Sequence, residues 1–133
     1  MLYDDKEVIT KAGINKSSFE LYYNGGSIWC EHLDGMGKYA EKVKEKFWGD
    51  FKTLSKPSMT SFLIINLDKT ILDNDLVSWI ADTIIQSPKR FMKIAFVGVP
   101  HSKRTTLREI QYKKGCAVSF FDDYERAKQW LLP

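Results

Sequence analysis

Three apolar runs of strand length, Phe62 to Leu67, Met92 to Val99 and Ala117 to Phe121, alternate with stretches whose apolar residues recur at helical spacing. This alternation constrains the fold most, because a strand that is apolar on both faces must have helices packed against it. Lys38 to Leu54 sets Tyr39, Val43, Phe47, Phe51 and Leu54 on one stripe. Asn74 to Gln86 gives a wide face of Leu76, Val77, Ile80, Ala81, Ile84 and Ile85, halted by Ser87-Pro88. A third helix is expected to run to Lys114 and end at Gly115. A fourth, capped by Asp122 or Asp123, carries Trp130 and Leu131. Upstream, Phe19 to Tyr23 and Ile28 to Leu33 are rich in β-formers and flank Asn24-Gly25-Gly26-Ser27, a hairpin signal. The expectation is an α/β fold: a small single domain over residues 19–133, with a mixed sheet, an N-terminal hairpin as its antiparallel edge, and about four helices. Residues 1–18 show no sustained period and read as an N-terminal tail or arm.

A chain of 133 residues can bury a core without staples. No apolar run approaches the ~18 residues of a membrane span. The N-terminus lacks the basic and apolar regions of a secretory signal, so a cytoplasmic location is expected. Cys30 and Cys116 lie in or beside apolar strand patterns, with no CxxC, and read as buried reduced thiols. Charge is uneven along the chain. Residues 1–88 hold ten Lys/Arg against thirteen Asp/Glu, a net of −3, whereas residues 89–114 hold eight against one, a net of +7. The overall balance of +3 is too mild for a dedicated nucleic-acid binder.

The stretch Phe62 to Leu76, F-L-I-I-N-L-D-K-T-I-L-D-N-D-L, runs from a strand through an acidic turn into a helix. Asn66-Leu-Asp68-Lys-Thr70 resembles the D-x-D-x-T motif of haloacid dehalogenase-like phosphatases, whose first Asp attacks phosphorus while the second acts as general acid/base around Mg²⁺. Asn66 stands at the nucleophile position, and an amide cannot form the acyl-phosphate, so no catalytic residue is assigned and a degenerate hydrolase ranks third among the readings. Asp68, Asp73 and Asp75 offer hard oxygen ligands, but the Gly-centred calcium-loop spacing is missing. Asp73 or Asn74 as N-cap and Asp75 in the first turn account for these residues without a metal or cofactor.

The same stretch also resembles the core of the STAS domain, shared by sulfate transporters and anti-sigma-factor antagonists. There a strand reading roughly I-L-N-L leads, after a few residues, to D-S-S-G-L opening a helix. Ile64-Ile-Asn66-Leu67 is similar to the strand, and Asp73-Asn74-Asp75-Leu76 falls at the hallmark. Ile28 to Asp34, Lys93 to Val99 and Val118 to Leu131 look like further family elements in the right order, and the ending F-F-D-D-Y-E-R-A-K-Q-W-L is close to a divergent branch. The resemblance implies a non-enzymatic, bacterial-type regulatory module whose turn and following helix dock on a protein partner, such as an anti-sigma kinase that phosphorylates a Ser at the turn. Asn74 and Asp75 replace both serines and the following Gly is absent. Asp75 therefore stands, permanently charged, at the phospho-acceptor position; Thr70 and Ser78 are the nearby hydroxyls.

Loops leaving the carboxyl ends of parallel strands gather on one edge. The turn at Asp73, Asn74 and Asp75 and the loop Pro100-His101-Ser102-Lys103-Arg104 should therefore meet. Thr106-Leu-Arg-Glu109 fits a capping box, and Ser102 is the other candidate cap. His101, Lys103 and Arg104 form a candidate anion-binding loop, which supports a second reading as a small-ligand module for an anion, nucleotide or lipid. Trp48 and Trp79 lie just off their stripes and are expected to finish the core; an exposed Trp would mark a contact surface.

Overall fold

A computed structural model describes residues 17–23, 26–54 and 62–132. Residues 1–16 of the tail read at residues 1–18, the Asn24-Gly25 part of the hairpin turn and the connector from Ser55 to Ser58 lie outside them. The elements are β1 (Phe19–Tyr23), β2 (Gly26–His32), α1 (Ala40–Leu54), β3 (Phe62–Asn66), α2 (Asn74–Gln86), β4 (Lys93–Val97), α3 (His101–Lys114), β5 (Ala117–Phe121) and α4 (Tyr124–Leu131). The five strands lie in sequence order; β1 is antiparallel to β2, and β2 to β5 are parallel. The expected α/β architecture is present, with four helices among the described residues.

A strand order that never reverses, joined by crossovers of one hand, puts successive helices on one face. There Leu63, Ile65, Ile94 and Phe96 meet Val43, Phe47 and Phe51 of α1, Leu76, Ile80 and Ile84 of α2, and Leu107 and Ile110 of α3. The opposite face, Ile28, Cys30, Ile64, Ala95 and Val97, is covered by Ala127 and Leu131 of α4. Strands β3 and β4 are thus buried on both sides, the physical origin of their unbroken apolar runs. Each fully buried Leu, Ile or Phe contributes roughly 1.5–3 kcal/mol of transfer free energy.

Several boundaries differ from the sequence expectation. Tyr23 pairs with Gly26, so β2 begins nearer the turn than Ile28. Strand β4 is shorter than Met92 to Val99, because Gly98 takes φ +81 and turns the chain out of the sheet. The capping box at Thr106 does not form, and Ser102 is not the cap: α3 starts at His101 with Pro100 as N-cap. Pro100 holds φ −61 and keeps Val99 extended, so the chain passes straight from strand exit into helix. The Lys103 N–H then donates to the Pro100 carbonyl at 3.0 Å and closes the first turn. Trp79 packs half-buried against the core, edge-on to Phe47, but Trp48 keeps 50% of its surface exposed and does not finish the core.

Candidate functional site

The loops that follow β2 and β3 are fastened together by their main chains. The Gly35 N–H donates to the Asp68 carbonyl at 2.7 Å, Gly37 to Lys69 at 3.1 Å, and Ile71 back to Gly37 at 2.8 Å. Thr70 locks the junction. Its hydroxyl donates to the Leu33 carbonyl at 2.6 Å and accepts from the Met36 N–H at 3.1 Å. The hydroxyl is therefore buried and committed rather than offered to a kinase. Asn66 shapes the start of the turn, its amide oxygen accepting from the Asp68 N–H at 3.1 Å. Lys69 then takes the left-handed conformation, φ 60. Gly98 lies against this turn so closely that a Cβ there would sit 2.6 Å from the Asp68 Cα.

The turn leads into α2 through Asp73, the N-cap, whose carboxylate accepts from the Leu76 N–H at 2.8 Å. Asn74 and Asp75 follow, both exposed, with Asp75 in the first turn where the helix dipole favours a carboxylate. Leu72, 6% exposed, anchors the segment from below, whereas its neighbour Ile71 leaves 63% of its surface in solvent. Ile71 was not singled out by sequence reasoning. An apolar residue inside a run of turn and charged residues was the available signal.

Asn74 and Lys103 come together: the Lys103 ammonium donates to the Asn74 amide oxygen at 2.7 Å. The turn and the loop after β4 thus share one edge of the sheet. Arg104 does not join them. Its Nε–H donates to the Val99 carbonyl at 2.9 Å, its guanidinium lies 5.2 Å from the Phe120 ring centre, and Nη2 is 3.7 Å from Asp122 Oδ1. His101 is exposed at the first position of α3, whose N-cap Pro100 offers no side-chain acceptor.

Much of the basic segment is engaged in the same way. Lys93 donates to the Trp130 carbonyl at 3.0 Å, Lys114 bonds the Ser87 carbonyl, and Arg108 stacks over Phe120 at 4.9 Å. Half of the eight cations of residues 89–114 are thus spent on helix ends and aromatic faces.

Two polar clusters in the body of the domain escaped the sequence reading. Glu31, with no exposed surface, accepts from the Trp29 indole N–H at 2.7 Å and has its other oxygen 3.7 Å from Lys46. Burial, and then the neighbouring Asp50 carboxylate, push its carboxyl up to about 9 against the opposing pulls of Trp29 and Lys46. Burial thus favours the protonated carboxyl, and Oε2, 3.7 Å from the Lys46 ammonium, makes no hydrogen bond. Lys46 is held instead by Asp50 at 3.3 Å, the His32 carbonyl at 2.7 Å and Ser18 at 2.8 Å. A charged residue two positions from Trp29, on the same face of the strand, was the signal for this cluster.

On the other face, His32 is stacked between Phe19 at 5.7 Å and Tyr124 at 5.5 Å. Its Nδ1 lies 3.4 Å from Asp34 Oδ1, an approach that does not make a hydrogen bond. Burial raises the Cys30 and Cys116 thiols above their ordinary range, which keeps them unreactive.

Among the described residues no three His, Cys, Asp or Glu side chains are grouped to hold a metal ion, and no helix is long and apolar enough to cross a membrane. No protein-family model matches the chain, and comparisons with curated proteins and with solved structures give no match.

Proposed function

We propose that this chain is a non-enzymatic regulatory binding module of STAS type, reading a protein partner through the turn at Asp73, Asn74 and Asp75. The observation that carries this reading is the turn itself, an outward-facing loop held by main-chain bonds and by Thr70, with Ile71 exposed among Asp68, Asp73 and Asp75. A preformed loop with an exposed apolar centre and a charged rim suits a protein interface, because little ordering entropy remains to be lost on docking. The sequential strand order supports the same reading. Among the described residues the strand order has no reversal, where a crevice would open as the usual small-ligand site. A dehalogenase-type reaction is disfavoured by Asn66, whose amide oxygen is committed to the Asp68 N–H.

With Asp75 at the phospho-acceptor position, the partner meets a turn that is always negative. The test is charge reversal, Asp75→Lys, alongside Ile71→Ser, with affinity for the co-purifying regulator measured by calorimetry. Both variants should keep the wild-type circular dichroism and lose about tenfold or more in affinity. Unchanged affinity in both variants would refute the reading.

A second reading rests on one observation: the first amides of α3 have no side-chain acceptor, and Lys103 stands beside them. A small anionic ligand would then raise the melting temperature of the wild-type protein but not of Lys103→Ala. Arg104→Ala should leave that shift in place, since Arg104 faces Phe120 and Asp122.

A further inference from the structure

Helix α2 packs extensively on α3 but only lightly on α1. The gap between α1 and α2 is an open groove of about 730 Å³, lined among others by Trp48, Phe51, Lys52, Trp79, Asp82 and Pro88. It lies on the helical layer, away from the turn at Asp73. Trp48 stands half out of it, with 50% of its surface exposed. The two walls carry opposite charges. Lys52 on α1 is held over the Trp48 ring at 5.6 Å, Asp82 on α2 lines the same groove, and neither makes an ion pair with another described residue.

We infer that this groove is a homodimer interface, in which Trp48 of each copy enters the groove of the other and Lys52 of each copy meets Asp82 of the other. The surface around the groove is self-complementary. A two-fold interface brings one surface against itself, so that surface must supply both the knob and the hole, and both signs of charge. This groove supplies all four. A partner of single-sign charge would be opposed by one wall. A half-exposed Trp beside a concave apolar floor has the composition of an interface hot spot, and desolvating the indole in the second copy's groove supplies the driving force. Lys52 and Asp82 then fix the register, because a shift along the groove would leave both unpaired.

Sedimentation velocity on the full chain at about 1–500 µM tests this, with folding of each variant checked by circular dichroism; all three substituted side chains are exposed. The wild type should sediment at twice the 15.4 kDa chain mass. Trp48→Ser and Lys52→Glu should each raise the dissociation constant about tenfold or more, and the double exchange Lys52→Glu with Asp82→Lys should return it to within about threefold of wild type. A monomer throughout that range overturns the inference, including the case where the groove receives a different protein. So does a dimer indifferent to Trp48→Ser, or a double exchange no tighter than Lys52→Glu alone.

Discussion

Glu31 and Thr70 are polar side chains buried for opposite reasons. Glu31 keeps a proton in the folded state that it would release at neutral pH in the unfolded one, since its folded value of about 9 stands well above the ordinary 4.5. The folded protein therefore binds that proton more tightly, and stability falls as pH rises from about 4.5 toward about 9, levelling off beyond. Glu31→Gln replaces the carboxyl with a neutral side chain of the same shape that still accepts from Trp29. The variant should melt well above the wild type near pH 8, on the order of 3–5 kcal/mol, with the gap closing toward pH 5. Calorimetric melting at both pH values checks it; a gap independent of pH would mean that Glu31 is ionised in the fold. Thr70, by contrast, satisfies two backbone groups that have no water to turn to. Thr70→Val strands both and should cost about 1–3 kcal/mol in denaturant melts. Hydrogen exchange at the Met36 amide should accelerate with it.

At the level of elements, α4 has a large role for eight residues. It covers the second face of the sheet over β3, β4 and β5, chiefly through Ala127 and Leu131. Leu131→Ala should therefore cost about 2–5 kcal/mol, and exchange protection should drop in α4 before it drops in the helices of the other face. The exit from β4 is equally constrained. Gly98→Ala meets both a positive φ and the Asp68 backbone at 2.6 Å, so a loss of about 1–3 kcal/mol or more is expected in the same melts. Because Asp68 belongs to the turn before α2, this variant should also weaken partner binding by displacing that turn. A milder variant, Asp73→Ala, removes only the cap and should cost about 1 kcal/mol.

For the molecule as a whole, the sequence was most legible where apolar runs, helical period and turn chemistry act locally. Strands β3 and β5, the extent of α2, the αL end of α3 at Gly115 and the Asp123 cap all follow from apolar runs, period and turn chemistry. Local rules misplaced the start of α3, because a plausible capping box at Thr106 lost to Pro100, which fixes where the chain leaves the strand. Trp48 was misjudged for a related reason: helical period places a residue off the stripe but does not say how closely the next helix approaches. The edge shared by Asn74 and Lys103 was legible from strand parallelism alone. That Arg104 turns away to Phe120 was not, since it depends on a ring brought in from β5.

The interlocked main chains after β2 and β3 carry a further consequence. Their geometry is written in carbonyls, amides and one threonine, none of which contributes a side chain to the outer surface. Residues 68, 71, 74 and 75 can therefore be exchanged with little effect on the loop's path. A library randomised at those four sites on this frame should yield new specificities at nearly constant stability, which makes the domain a ready scaffold for directed selection.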